Sequence, residues 1–161
     1  MIEVRLMQEG DHPAVKQIVE SLSKWFDDRT RNISVPIDIR HQHGFVAVSG
    51  DDVVGFITLY VAEGKLNIGW IGVRSDLHRK GIGKLLLNRA EQMATGMGIT
   101  QLATYTLGDR VDYEPYERTR QFYFKNGFRV YQRSQTDNPS CPDEMRIVKD
   151  LAQPLSPEKR Q

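Results

Sequence analysis

The stretch that decides the fold is residues 73–86, which read VRSDLHRKGIGKLL. It lies between an apolar strand, Leu66 to Val73, and an apolar helix, Gly83 to about Met97. The first N–H groups of a helix have no partners within the helix, and the helix dipole favours negative charge there. Glycines at 81 and 83 leave the backbone open to a ligand. Three basic residues add positive charge: Arg79, Lys80 and Lys84. The stretch therefore predicts a phosphate-binding loop at a helix start.

Two other phosphate-binding loops are excluded by the residues at particular positions. The nucleotide P-loop requires a glycine where His78 stands and a serine or threonine where Leu85 stands. The dinucleotide-binding fingerprint requires a third glycine at the position of Leu86. For the loop taken alone, a tight turn with a solvated basic face stays as the alternative interpretation.

The order of apolar segments predicts an α/β fold with a central mixed, mostly antiparallel sheet of about seven strands and about four helices. Strands are predicted at Ile2–Leu6, Gly44–Val48, Val53–Ala62, Leu66–Val73, Gln101–Thr106, Phe128–Arg133 and Met145–Val148. Helices are predicted at Asp11–Phe26, after Pro36, at Gly83–Met97 and before Asn126-Gly127. On the third of these helices, the predicted apolar face is Leu85, Leu86, Ala90, Met93, Ala94 and Met97. We expect one domain over residues 1–152 and a polar, flexible tail over 153–161.

Composition narrows the class of protein. A net charge of +1 gives no electrostatic case for a nucleic acid or an anionic membrane as the main partner. The single Cys141 cannot form an internal disulfide, and the first segment is charged, which together favour the cytoplasm. No apolar run approaches the length of a membrane-spanning helix. The sequence does not fix the oligomeric state and leaves a homodimer open.

The loop resembles the acetyl-CoA loop of the GCN5-related N-acetyltransferases, the GNAT family. The family pattern is Gln/Arg-x-x-Gly-x-Gly/Ala, in which Gly81 and Gly83 match and His78 replaces the leading residue. The order of elements resembles the family from Ile2 to about Leu151. The resemblance implies a GNAT-like acyl-CoA N-acyltransferase fold, acetyl-CoA as co-substrate and no metal. It also implies that the phosphates are bound by His78, Arg79, Lys80, Gly81, Ile82, Gly83 and Lys84.

The strand before the loop carries glycines at 69 and 72. Glycine within a strand often marks a bulge or a close backbone approach. In the family this strand splays from the next, its backbone pairs with the pantetheine arm, and one N–H faces the thioester oxygen. The resemblance assigns this role to Ile71, Gly72 and Val73, where a donor would stabilise an oxyanion. The alternative is a plain bulge with Trp70 in the core.

Residues 120–128, RQFYFKNGF, resemble the second signature of the family, a helix ending in Phe-Tyr-x-Lys-x-Gly-Phe. Tyr123 takes the position of a general acid that protonates the departing coenzyme A thiolate. A purely structural tyrosine in the core is the alternative. Tyr116 stands where the family often has an asparagine that contacts the cofactor, so we assign a cofactor contact to Tyr116.

The general base stays open. The position of the glutamate that some family members use is Asn67, which cannot accept a proton. Four carboxylates are candidates, namely Glu63, Asp109, Asp112 and Glu114, and a water relay or capture of unprotonated amine is equally consistent. No motif surrounds Cys141, so it is not taken as a nucleophile.

The acceptor site of the family lies between Trp25–Arg31 and Leu107–Tyr116 in this numbering. Aromatic and acidic side chains in both segments favour a small cationic amine. The alternative is that the two segments carry mixed charge and do not select the acceptor. Two other functions stay open: a protein acetyltransferase acting on lysines or N-termini, and a binding module that holds acyl-CoA without chemistry.

Overall fold

The computed structural model describes residues 1–152, and the predicted tail at 153–161 lies outside them. The strands are β1 (Ile2–Leu6), β2 (His43–Ser49), β3 (Asp52–Ala62), β4 (Lys65–Val73), β5 (Gln101–Leu107), β6 (Arg129–Gln135) and β7 (Asp143–Asp150). The α-helices are α1 (His12–Ser21), α2 (Val35–His41), α3 (Ile82–Gly96) and α4 (Glu114–Lys125).

The seven strands form one sheet in the order β1-β2-β3-β4-β5-β7-β6. Neighbours pair antiparallel except β4 and β5, which are parallel and joined through α3. Parallel neighbours require such a crossover, because a short turn can only reverse the chain. The predicted α/β architecture with a mixed, mostly antiparallel sheet is therefore confirmed.

Two apolar clusters lie on opposite faces of the sheet. One packs α1 and α2 on β2 and β3, around Val15, Val35 and Phe56. The other contains the buried face of α3 together with Tyr123 of α4. That face is Ile82, Leu86, Leu87, Ala90 and Ala94. The predicted face was partly wrong, because Leu85 is 40% exposed and Met97 is 46% exposed.

The helix boundaries differ from the predictions, most of all at the end of α1. Helix α1 ends at Ser21 rather than Phe26. Leu22 and Phe26 are nonetheless buried, and they reach the core from turns, so their spacing imitates a continuing helix. The segment after it holds a π-helical turn at Thr30–Ser34 that leads directly into α2. Helix α4 begins at Glu114, which places Tyr116 in its first turn. None of the helices within residues 1–152 has the length and apolar character that crossing a membrane requires.

Candidate active site

The sheet opens between its two parallel strands. Strands β4 and β5 pair only at Leu66↔Leu102 and Asn67↔Ala103. Beyond that point the Thr104 hydroxyl donates to the Ile68 carbonyl at 3.1 Å, in place of a backbone bond. The predicted splay of β4 is thereby confirmed, and it leaves the β5-facing edge of residues 69–73 without strand partners among the described residues.

The glycine at position 81 shapes the start of α3. Gly81 has a φ of 80°, in the left-handed region that glycine adopts without strain. Arg79 also has a positive φ, 65°, so the chain turns sharply twice within three residues. No side chain caps α3 at Gly81. The N–H groups of its first turn therefore point outward beside three basic residues, as an anion site requires.

The glycine at position 83 has a different role from the one at 81. A Cβ atom at Gly81 would meet nothing within 4 Å. A Cβ atom at Gly83 would lie 3.0 Å from the ring of Phe122 in α4. The missing side chain at Gly83 therefore lets α3 and α4 approach each other, in addition to keeping the backbone open.

A cleft of about 1710 Å³ runs from this loop into the splay. Its lining brings together most of the residues predicted from the sequence to bind the cofactor or to catalyse. They are Ile71, Gly72, Val73, His78, Arg79, Gly81, Ile82, Gly83, Lys84, Tyr116 and Tyr123. Lys80 is exposed and lies outside the lining.

Tyr123 is 4% exposed and lines the cleft from α4. Its ring packs edge-on against Phe122 and Phe128. Burial raises the pKa of the phenol well above its ordinary value, and the charge of Tyr116 adds to the rise. The Thr104 hydroxyl, which favours the phenolate, acts in the opposite direction. The phenol is therefore protonated at neutral pH and lies beside the opening of the sheet.

His78, which replaces the usual Gln or Arg, ties the loop to the end of β4. Its Nε2 lies 2.7 Å from the carbonyl oxygen of Val73. Its ring also meets Trp25 edge-on, with centroids 5.7 Å apart. His78 therefore contacts both the end of β4 and the segment after α1, and it links the loop to each of them.

The segment after α1 is bound to the start of α4. The Trp25 indole N–H donates to the Pro115 carbonyl at 2.9 Å, and the Tyr116 hydroxyl donates to the Trp25 carbonyl at 2.7 Å. The Tyr113 hydroxyl donates to the Lys24 carbonyl at 2.6 Å. These bonds join residues about 90 positions apart in sequence. They bring together the two segments predicted to receive the acceptor.

The candidate bases from sequence lie mostly away from the cleft. Asp109 pairs with Arg133 at 2.7 Å, and Glu63 and Asp112 are exposed outside the lining. Glu114 lines the cleft but is exposed and pairs with Arg118 at 2.7 Å. The amide of Asn67 donates to the Ala62 and Lys65 carbonyls, so it fixes the β3–β4 turn.

Asp38 is a lining carboxylate that the sequence did not single out. It belongs to α2, is half-buried, and accepts a hydrogen bond from the Trp70 indole at 2.8 Å. A second acid, Asp27, accepts from the Ser140 hydroxyl and from the Thr30 N–H. These bonds lower its pKa below the ordinary value. No sequence motif surrounds Asp38, because its place depends on the tertiary contact with Trp70.

Cys141 lines the cleft from the loop between β6 and β7. Burial raises the pKa of its thiol to about 11, with a smaller contribution from Glu144 and Asp143. A thiol in that state is a poor nucleophile at neutral pH. Within residues 1–152, no group of three or more His, Cys, Asp or Glu side chains is arranged to hold a metal ion.

A parallel strand pair that opens beside a glycine-bounded helix start defines the class of acyl-CoA N-acyltransferase folds. The model of the acetyltransferase (GNAT) domain family matches residues 40–130, more than half of the chain. The protein belongs to the GNAT family of acetyltransferases and is an N-acetyltransferase. No curated protein matches the chain.

Several solved structures share the fold. One is a putative GNAT-family acetyltransferase from Desulfovibrio desulfuricans, with 22% identity, a TM-score of 0.80 and coverage of 94% of this chain and 100% of that one. Another is the PaiA N-acetyltransferase from Thermoplasma acidophilum in complex with coenzyme A (20%, TM-score 0.74, 94% and 99% covered). A third is the ribosomal-protein-S18-alanine N-acetyltransferase from Escherichia coli (14%, TM-score 0.74, 98% of both chains). At these identities the likeness concerns the fold.

Proposed function

We propose that the protein transfers the acetyl group of acetyl-CoA to a primary amine of a small molecule. The observation that carries the proposal is a single cleft joining the α3 start, the open edge of β4 and Tyr123. The structure of a fold relative in complex with coenzyme A supports the choice of co-substrate. The single Cys141 cannot form a disulfide within the chain, which supports a cytoplasmic location.

In this proposal the backbone and basic side chains of residues 78–84 bind the pyrophosphate. The pantetheine arm pairs with the free edge of β4 at Ile71, Gly72 and Val73. One of these N–H groups donates to the thioester oxygen and stabilises the oxyanion of the tetrahedral intermediate. The Tyr116 side chain, in the first turn of α4, is proposed as a further contact to the co-substrate.

The chemistry is a direct attack of the amine nitrogen on the thioester carbon. The new C–N bond forms, the oxyanion collapses, and the C–S bond breaks. Tyr123 donates its proton to the departing sulfur, the proton that the amine loses passes to water, and water reprotonates Tyr123 before the next turnover. The burial that raises the pKa of Tyr123 also raises the basicity of a thiolate formed beside it, which supports the transfer.

The test is release of coenzyme A thiol from acetyl-CoA against a panel of small primary amines, with the N-acetyl product identified by mass spectrometry. We expect thiol release that requires both reactants. If calorimetry shows that acetyl-CoA binds but no amine or peptide is acetylated, the proposal is contradicted and a binding module is favoured.

An alternative acceptor is the N-terminus or a lysine of a protein, and one fold relative acts on the alanine of a ribosomal protein. The hydrogen bonds from Tyr113 and Tyr116 to the segment after α1 favour the small molecule, because they join the two segments that flank the proposed acceptor site and so narrow it. Turnover on peptides and not on amines would reverse this choice.

A further inference from the structure

Asp38 is a carboxylate of the cleft for which the proposed reaction has no use. It lines the same cavity as the α3 loop and Tyr123. Its Oδ2 accepts the Trp70 indole N–H at 2.8 Å, which fixes the orientation of the carboxylate. Among residues 1–152, no side chain or backbone group binds Oδ1. The cleft therefore presents an oriented carboxylate with one oxygen available to a ligand.

The other acids of the lining differ from Asp38. Both oxygens of Asp27 are engaged, one by the Thr30 N–H and one by the Ser140 hydroxyl. Glu114 is exposed and pairs with Arg118, and Glu117 is exposed. Asp38 is half-buried, so solvent screens its charge less than theirs. Asp38 is accordingly the lining acid best able to bind a cation.

A close approach of α2 to β4 places Asp38 beside the opening of the sheet. Gly69 is the extra residue of a bulge, because Thr58 pairs with Trp70 and Leu59 with Ile68. A Cβ atom at Gly69 would overlap the Gln42 side chain and lie 2.8 Å from the Thr58 hydroxyl. The glycine therefore lets the end of α2 reach the strand. Trp70, which holds Asp38, directly precedes the backbone proposed to bind the pantetheine arm.

The chemistry of a carboxylate decides what Asp38 does. A carboxylate is a far weaker base than an aliphatic amine, so a stable ion pair between the two leaves the proton on the nitrogen, whereas a carboxylate that acts as a general base takes that proton only during the reaction. The nitrogen that attacks the thioester must be unprotonated. A cation held by Asp38 is therefore a different group from the attacking nitrogen.

The surrounding side chains suit such a cation. Trp25, Trp70 and Tyr105 also line the cleft, with Trp70 in direct contact with Asp38, and aromatic faces attract cations. Lys24 and Arg29 line it too, and their repulsion opposes the attraction. Both residues are exposed, and solvent screening weakens that repulsion.

We propose that Asp38 binds a second positive charge of the acceptor, so that the substrate is an amine carrying a cationic group apart from the acetylated nitrogen. This inference rests on the proposed N-acetyltransferase function and names its substrate class. Asp38 is then the residue that determines specificity, through an ion pair that does not take part in bond making.

The test compares two acceptors of equal chain length, the diamine putrescine and the monoamine butylamine, on wild type and on Asp38→Asn. We expect the wild type to prefer putrescine in kcat/KM. We expect Asp38→Asn to raise the KM for putrescine by roughly 10- to 100-fold, the loss of one charge-assisted hydrogen bond. Values of kcat, and both constants for butylamine, should be unchanged, because the asparagine keeps the shape of the aspartate. Asp38→Glu should restore part of the preference.

The matched control is Asp51→Asn, which removes the same charge from an exposed side chain in the turn between β2 and β3, outside the lining. It should keep the preference for putrescine.

If Asp38→Asn fails to fold, Trp70→Phe removes the N–H that orients Asp38 and should lower the preference by a smaller factor. A wild type that prefers butylamine, or an Asp38→Asn that keeps the preference for putrescine, overturns the inference and leaves the N-acetyltransferase function standing. Failure on every amine and peptide contradicts that function itself.

Discussion

Gly83 lies against Phe122, so that a Cβ atom at Gly83 would be 3.0 Å from two carbons of the phenyl ring. This contact joins the helix that starts at the phosphate loop to the helix that carries Tyr123. A larger residue at position 83 must therefore displace α4 as well as narrow the access to the backbone. The contact makes Gly83 more sensitive to substitution than Gly81, where the space is open.

Gly83→Val should destabilise the fold and abolish acetyl-CoA binding. Overpacking of this kind costs about 1–3 kcal/mol. Urea denaturation measures the stability, and calorimetry measures the binding. Gly81→Ala is the matched control, because its cost is backbone strain at a φ of 80°, about 1 kcal/mol, with no clash. Gly83→Val with Phe122→Leu should recover part of the lost stability. Equal effects at both glycines, with no recovery, would show that the Phe122 contact is unimportant.

Tyr123→Phe tests the acid. The phenylalanine keeps the packing on Phe122 and Phe128, so acetyl-CoA affinity should be unchanged. Loss of the proton donor should lower kcat by about 100-fold or more. The loss should be smaller for an acetyl thioester with a more acidic thiol, because that thiolate needs less help to leave. An unchanged kcat across the pH range would contradict the assignment of Tyr123 as the acid.

Local features were predictable from sequence, and features that depend on distant contacts were not. The loop between Val73 and Gly83 was predictable because glycines, basic residues and a helix start are neighbours in the chain. The end of α1 was not, because Leu22 and Phe26 stay buried after the helix has stopped. Periodicity records which side chains are buried and does not record whether the backbone between them is helical.

The acceptor side of the cleft shows even more clearly that features depending on distant contacts could not be predicted from sequence. Asp38 was not singled out because its function depends on a hydrogen bond to Trp70, 32 positions further along the chain. Conversely, the acids proposed as bases, such as Asp109, looked equivalent to it in sequence. The structure separates them, since Asp109 pairs with Arg133 on the surface. Charge alone therefore cannot rank carboxylates, whereas burial and partners can.

Cys141 should be unreactive in the native protein. Its pKa is raised to about 11 by burial, whereas a free thiol has a pKa of about 8.5. The thiolate fraction at pH 8 is then smaller by about two orders of magnitude, and it grows as the pH rises towards the raised pKa. Alkylation by iodoacetamide should be slower by at least that factor in native protein than in urea. Cys141→Ser should keep kcat, and a large loss of kcat would indicate a covalent acetyl-thiol intermediate.

Tyr116→Phe separates a cofactor contact from a purely structural one. The substitution removes the hydrogen bond to the Trp25 carbonyl and should cost about 1 kcal/mol of stability. Tyr113→Phe, which removes the similar bond to the Lys24 carbonyl at a more exposed position, is the control and should cost less. If Tyr116 also contacts the co-substrate, Tyr116→Phe alone should raise the KM for acetyl-CoA. If the KM for acetyl-CoA is the same in Tyr116→Phe as in Tyr113→Phe, the role of Tyr116 is only to hold the segment after α1. Hydrogen exchange at Trp25 and Phe26 reports that structural effect directly, since the freed segment should exchange faster in Tyr116→Phe than in the control.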